Sequence, residues 1–183
     1  MSDSSPTPAV DAEEQALLAG LRAGSDAAFE TLVRTTSPRL LAVARRIVGS
    51  DEDARDVLQE AYASAFKSIG RFEGNAKLST WLHRIVVNAC LDRLRRRRPT
   101  SELPEDHAAI LADRRDHHSS AETGIDVRAA LATLPEGQRL ALTLVDMHGL
   151  SVAETAQVLG VAEGTVKSRC ARGRAALAPL LRP

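Results

Sequence analysis

The residues best suited to chemistry lie near the carboxyl end of the chain, and the chemistry they suit is hydrogen bonding to nucleic acid. Five side chains would lie on one face of a predicted helix: Thr165, Lys167, Ser168, Arg169 and Arg172. Their hydroxyl, ammonium and guanidinium groups can donate to phosphates and to base edges in a DNA major groove. A solvated basic face on two packed helices is the alternative interpretation of the same pattern.

The preceding residues predict a helix-turn-helix that would present these donors. Ser151 and Glu154 have the spacing of a capping box, so Ser151 should begin a helix. Gly160 should end it, because glycine tolerates the positive φ of a helix carboxyl terminus. A second helix should follow, although Ala162 cannot supply a capping side chain. Its inward positions are predicted to be Val166, Cys170, Gly173, Leu177 and Leu180.

Catalysis and metal binding receive little support from the remaining residues. The chain holds a cluster of metal-ligating residue types: Asp113, Asp116, His117 and His118. These residues fall in a predicted linker that offers no rigid frame for a metal. His83 and Cys90 are seven residues apart on one predicted helix, which suits a packed face as well as a ligand pair. The sequence therefore predicts a protein that is not an enzyme, with no catalytic residue, metal site or cofactor.

Composition bounds the class of protein. Alanine and leucine are abundant and aromatic residues make up 3% of the chain, which favours an all-α fold over a sheet. Cys90 and Cys170 are far apart in helical patterns, so we expect buried free thiols. The sequence contains no apolar run long enough to span a membrane, and its start does not resemble a signal peptide. We expect a soluble, cytoplasmic protein without membrane insertion.

The net charge of zero conceals two basic segments separated by an acidic one. Residues 71–100 carry eight basic and two acidic side chains, and residues 127–183 carry seven and four. The intervening residues 101–126 carry two basic and seven acidic side chains. This pattern predicts two small helical domains that face nucleic acid, joined by a flexible linker. The predicted divisions are a disordered start (1–10), a helical domain (11–98), an acidic linker (99–124) and a helix-turn-helix domain (125–183).

Helical periodicity and capping signals predict the elements of the first domain. A short helix over about 11–22 is followed by a helical pattern over 26–48, where Pro38 should produce a kink or a break. Ser50 and Asp53 form a capping signal for a helix that ends near Gly70. After a loop over 71–78, Ser79 should cap a further helix that continues into the arginines before Pro99.

The chain resembles the bacterial RNA polymerase sigma factors of the sigma-70 family, specifically the small extracytoplasmic-function group. The resemblance covers about residues 20–97 and 125–180. It is carried by segments in a characteristic order: Asp53–Tyr62, Arg71–Gly74 with Ser79–Leu82, Ile85–Asn88, Leu134–Pro135 with Gln138–Arg139, and Gly164–Arg169. It implies a promoter-specificity subunit whose first domain is similar to sigma region 2 and whose second is similar to region 4.

The resemblance also implies roles for individual residues. Binding of the core polymerase, at its β′ clamp helices, is implied for Asp56, Gln59 and Glu60. Recognition and melting of the −10 element are implied for Phe72, Gly74, Asn75, Trp81, Arg84, Asn88 and Arg95. Recognition of the −35 element is implied for the helix-turn-helix over 151–172, through Thr165, Lys167, Ser168, Arg169 and Arg172. Ordinary packing of Trp81 and ordinary solvation of the acidic face are the alternatives.

The partners implied are the β and β′ subunits of core RNA polymerase, promoter DNA and an anti-sigma factor. The acidic linker would extend through the polymerase toward its RNA path, or it would serve as a plain tether. A different class of protein, a stand-alone helix-turn-helix regulator, would use the first domain for sensing or dimerisation. It would bind specific DNA tightly without polymerase.

Overall fold

The computed structural model describes residues 12–97 and 127–180, except for the side chain of Arg128. The chain divides into two compact units between Arg97 and Arg98. Regular structure in both described ranges is entirely helical, as the all-α prediction requires. The predicted disordered start, the acidic linker and the cluster of metal-ligating residue types lie outside the described residues. The domain boundaries proposed from the sequence therefore stay predictions.

Four α-helices build the N-terminal unit. They are α1 (Ala12–Arg22), α2 (Asp26–Val48), α3 (Asp51–Ser68) and α4 (Leu78–Arg96), with a 3₁₀ turn at Ile69–Arg71 after α3. Helices α2, α3 and α4 pack against one another around buried aliphatic side chains such as Leu40, Val57 and Val86. Burial of these apolar faces is the main force holding the three helices together.

Local capping signals define the junction between α2 and α3. Gly49 ends α2 with φ 76°, and its N–H donates to the carbonyl oxygen of Arg45. Ser50 begins α3, and its hydroxyl accepts a hydrogen bond from the N–H of Asp53. The capping signal read from Ser50 and Asp53 is therefore confirmed.

Two details of the N-terminal unit differ from the sequence expectations. Helix α2 continues through Pro38, so of the kink or break expected there, the break is absent. Pro38 has no N–H to donate to the carbonyl oxygen of Arg34, one turn before it. Both residues are exposed, so water can bind that oxygen instead. Ser79 does not cap α4, because the helix begins at Leu78 with Lys77 at the N-cap, two residues earlier than expected. The lysine side chain is a donor and cannot accept from the free amides of the first turn.

A buried carboxylate joins the end of α4 to the start of α3. Asp53 is 2% exposed, and its Oδ1 accepts hydrogen bonds from Arg93 at 2.9 Å and from Arg97. The same Arg93 reaches Asp56 at 3.3 Å. Two arginines of the basic segment therefore bind acidic groups of their own unit.

The C-terminal unit is a second, smaller helical assembly. Its helices are α5 (Val127–Ala132), α6 (Glu136–Leu142), α7 (Val152–Leu159) and α8 (Glu163–Leu177), and α6 continues into a π-helical turn at Thr143–Met147. The core includes Leu134, Leu142, Val166 and Cys170. Arg139 is also buried, and it donates to the carbonyl oxygen of Leu134.

The inward face of α8 agrees with the sequence expectation at four of its five positions. Val166, Cys170, Gly173 and Leu177 are buried, whereas Leu180 is 45% exposed. Helix α8 ends at Leu177, so Leu180 does not continue the inner face of that helix. Cys90 and Cys170 are buried free thiols, as predicted. None of the helices within residues 12–97 and 127–180 combines the length and the apolar composition of a membrane span.

Candidate nucleic-acid and polymerase interfaces

The turn between α7 and α8 is held by local hydrogen bonds. Ser151 and Glu154 form both bonds of the capping box at the start of α7. Gly160 ends α7 with φ 65°, and its N–H donates to Ala156. The N–H of Val161 donates to the same carbonyl oxygen at 3.1 Å. These bonds set the course of the chain between the two helices, so the predicted helix-turn-helix is present.

Most of the donors predicted to contact DNA lie on the outer surface of α8. Lys167, Ser168 and Arg172 are exposed, and Thr165 is half-buried. Arg172 folds back on its own helix, donating to the carbonyl oxygen of Ser168 at 3.3 Å and to its hydroxyl at 3.4 Å. These contacts are on the helix surface, so Arg172 can exchange them for contacts with a phosphate or a base.

Arg169 differs from the other donors because its guanidinium lies against α6. Arg169 is half-buried, and a Cβ atom added at Gly137 would lie 2.9 Å from its Cζ. Only glycine at position 137 leaves this space open. The position of Gly137, 32 residues before Arg169, gives no signal in the sequence that it adjoins the recognition helix.

A second arginine fixes the opposite flank of α8. Arg174 donates to both carboxylate oxygens of Asp146, at 2.6 and 2.9 Å, in a bidentate pair. The pair joins α8 to the π-helical turn after α6, and it raises the pKa of Arg174. Sequence reasoning did not find this contact. Arg169 and Arg174 thus make contacts on the two flanks of α8, and the face between them carries the exposed residues Lys167, Ser168 and Arg172.

The residues assigned to polymerase binding share an exposed surface of α3. Asp56, Gln59 and Glu60 are all exposed, and Asp56 is 3.3 Å from Arg93. Gln59 also borders an apolar cavity of about 530 Å³ between α2 and α3. Aromatic rings line part of that cavity, and one of them, Phe66, is 46% exposed.

The residues assigned to the −10 element divide between the loop that precedes α4 and the helix itself. On α4, Trp81, Arg84, Asn88 and Arg95 are spaced by three, four and seven residues, which places them in one stripe. Arg84, Asn88 and Arg95 are exposed, and Trp81 is half-buried. Arg95 also binds Asp92 in the same stripe at 2.7 Å. The arginine segment is therefore divided, because Arg93 and Arg97 turn toward Asp53.

In the loop, the predicted site residues are unequally accessible. Asn75 is exposed and donates to Glu73 at 2.9 Å, and Gly74 adopts φ 79°. Phe72 is 6% exposed, with its ring centroid 5.2 Å from that of Trp81. A direct contact of Phe72 with a separated base would require its ring to leave this site. Trp81 thus packs against the ring of Phe72, which agrees with the alternative that Trp81 is an ordinary packing residue.

Comparisons with known proteins identify the family. A model described as Sigma-70 region 2 matches residues 32–100, and one described as Sigma-70, region 4 matches residues 124–177. The ECF RNA polymerase sigma factor SigM of Mycobacterium tuberculosis is 51% identical over 90% of this chain and 83% of its own length. SigW of Bacillus subtilis, also an ECF sigma factor, is 31% identical over 88% and 93%.

Solved structures agree with this similarity. CnrH in complex with the cytosolic domain of CnrY matches with a TM-score of 0.70 and 29% identity, covering 91% of this chain and 96% of that one. RpoE in complex with the anti-sigma factor NepR from Bartonella quintana matches with a TM-score of 0.66 and 25% identity, over 83% and 95%. The two units thus define a transcription initiation factor of the sigma-70 class. The chain belongs to the ECF RNA polymerase sigma factors.

Proposed function

We propose that this chain is a promoter-specificity subunit that binds core RNA polymerase, recognises −35 and −10 elements and promotes strand separation. The observation that carries the proposal is the presence of two donor-bearing surfaces, the α4 stripe and the outer face of α8, on units that match two sigma regions. The chain would act in the cytoplasm, with its polymerase. It would catalyse no reaction itself, since it exchanges duplex stability for protein–DNA contacts.

The exposed acidic surface of α3 is the proposed contact with the polymerase β′ subunit, while β is a further expected partner. Exposure of Asp56, Gln59 and Glu60 supports this assignment, as does the adjacent apolar cavity. Charged residues beside an apolar surface suit a specific interface, since the charges orient the partner and the apolar area contributes affinity.

The two DNA surfaces would act on different states of the promoter. The outer face of α8 would bind the −35 element as duplex, in the major groove. The loop before α4 and the α4 stripe would bind the −10 element after its strands separate, because extrusion of a base costs a few kcal/mol that contacts must return. We also propose control by an anti-sigma factor, which the complex of RpoE with NepR supports by similarity.

Reconstitution with core polymerase tests the function directly. Run-off transcription from fragments of the source genome should start at specific sites only when both protein and core enzyme are present. The protein alone should bind the same fragments weakly, because each unit offers a small footprint. A nanomolar, sequence-specific complex formed without polymerase would instead support the stand-alone regulator.

Charge reversal tests the proposed polymerase surface. The double variant Asp56→Lys, Glu60→Lys should lose co-purification with core enzyme and keep its fold, because exposed charges contribute little to stability. The control Glu13→Lys, Glu30→Lys makes the same charge change at exposed positions of α1 and α2. Equal co-purification of both double variants would contradict the assignment of this surface.

Template design separates the two DNA surfaces. Arg172→Ala should weaken binding of the duplex promoter, whereas Asn88→Ala should preserve it and reduce permanganate reactivity of unpaired thymines. A template with a pre-melted −10 bubble should restore the Asn88 variant, because the cost of opening is already met. Equal rescue of the Arg172 variant by the bubble would contradict the division of roles.

A further inference from the structure

Helix α1 holds both ends of the loop that precedes α4. At the first end, the guanidinium of Arg22 donates to the carbonyl oxygen of Phe72 at 2.6 Å. At the second end, the N–H of Leu78 donates to a carboxylate oxygen of Glu14 at 2.5 Å. These partners are 50 and 64 residues apart in the chain. Two independent tertiary contacts therefore bracket residues 72–78.

The contact of Glu14 supplies what α4 lacks in its own sequence. The N-cap residue Lys77 has no acceptor in its side chain, and the first amides of a helix have no partner within the helix. A carboxylate from α1 accepts from the first of them, at the positive end of the helix dipole. This hydrogen bond holds the start of α4 against α1. It holds the second end of the loop there as well.

Helix α1 is a rigid connection between the two contacts. Glu14 and Arg22 are eight residues apart on a continuous helix, a span of about 12 Å. Leu18 and Leu21, which lie between them, are 7% and 3% exposed and anchor α1 in the core of the unit. The separation of the two loop ends is therefore set by the length of this helical segment.

We propose that α1 positions the −10 recognition loop, with Glu14 and Arg22 as its positioning residues. The inference rests on the proposed function, because it assigns the loop carrying Gly74 and Asn75 to the extruded base. Helix α1 precedes the residues that match Sigma-70 region 2, which begin at 32. Because the loop ends are held in place before DNA binds, capture of a base costs less conformational entropy of the loop. The contacts with α1 therefore favour capture.

The test uses the full-length protein in holoenzyme with a promoter that the wild type opens. Glu14→Ala and Arg22→Ala remove the two contacts, and Glu13→Ala and Arg34→Ala are matched controls at exposed positions. Measurements are duplex promoter binding, permanganate reactivity, and selectivity among −10 bases on fork-junction templates. Fluorescence of Trp81 during thermal unfolding of the full-length protein without polymerase reports the stability of the same unit.

Each alanine variant should reduce open complex and −10 base selectivity by roughly tenfold, the factor that one charge-assisted hydrogen bond can supply. Duplex binding should stay within about twofold of wild type, since no proposed duplex contact changes. Glu14→Gln keeps an acceptor and Arg22→Lys keeps a donor, so both should fall between wild type and alanine. If an alanine variant unfolds, Glu14→Gln and Arg22→Lys provide the test in its place.

Unchanged selectivity in the folded Glu14 and Arg22 variants would overturn the proposal. Equal losses in duplex binding and in selectivity would also overturn it, since they indicate a purely structural role. The proposal is also overturned if the control Glu13→Ala reduces open complex and −10 base selectivity as much as Glu14→Ala does. A wild-type holoenzyme that opens no promoter would instead refute the proposed function, and that result is separate because it appears before any variant is compared.

Discussion

Asp53 is the residue whose loss should most directly test how the N-terminal unit is held together. Its carboxylate is buried between α3 and α4 and accepts from Arg93 and Arg97. Burial acts to raise the pKa of Asp53, but the hydrogen bonds of the two arginines and the charge of Arg97 outweigh it, and the pKa lies below the usual 3.8. Asp53→Asn keeps the shape of the side chain and removes the charge.

The expected cost is about 1–3 kcal/mol of unfolding free energy at pH 7. Breaking a fully buried ion pair costs about 3–5 kcal/mol, and a charge-assisted hydrogen bond contributes about 1.5–3 kcal/mol. The side chains of Arg93 and Arg97 are 29% and 39% exposed, so solvent reduces the penalty for leaving them unpaired. Arg93 also retains Asp56 at 3.3 Å. Solvent exposure of the arginines therefore lowers the expected cost to about 1–3 kcal/mol, below that of a fully buried ion pair.

Urea unfolding followed by Trp81 fluorescence measures this change in the N-terminal unit, because the chain has one tryptophan. Asp51→Asn is the matched control. It removes a carboxylate from the same first turn of α3, but Asp51 is 61% exposed in its pair with Arg45. Its loss should cost less than about 1 kcal/mol.

The pH dependence gives an independent check on the cause. A pKa lowered in the folded state means that ionised Asp53 contributes stability above about pH 4, the ordinary range of its titration. That contribution is lost as the pH falls through the folded-state pKa. The difference between wild type and Asp53→Asn should therefore be full at pH 7 and shrink as the solution is acidified below pH 4. A difference that persists undiminished at low pH, or that Asp51→Asn reproduces, would refute the electrostatic reasoning.

Three further predictions concern single local features. Ser151→Ala should cost about 1 kcal/mol by removing the capping box, seen as faster amide hydrogen exchange in α7. Gly137→Ala should displace the guanidinium of Arg169 when Arg169 is present. In an Arg169→Ala background the contacting side chain is absent, so the same change should stabilise α6 by up to about 1 kcal/mol. A double-mutant cycle followed by hydrogen exchange measures this coupling, and strictly additive effects would contradict the contact. Burial raises the pKa of Cys90 to about 12, so its thiol should resist alkylation at pH 8 until the unit unfolds in urea; rapid labelling of the native protein would contradict this.

The amino-acid sequence was sufficient to predict features that depend on neighbours within about one helical turn. The capping box of Ser151, the positive φ of Gly160 and the inward spacing of Val166, Cys170 and Gly173 are all of this kind, and all are present. Capping and periodicity are local interactions, so their residue types and spacing largely determine the outcome. The same signals place the predicted −35 donors on α8 and the predicted −10 residues on α4 and its preceding loop.

The tertiary structure decided which of those residues remain accessible and what holds them. The arginines before Pro99 look equivalent in the sequence, yet Arg93 and Arg97 turn to Asp53 while Arg95 shares the exposed stripe of Asn88. Likewise, the cap of α4 comes from α1 and not from Ser79. These outcomes depend on groups tens of residues away in the chain, and the packing of the helices determines which of those groups come within hydrogen-bonding distance.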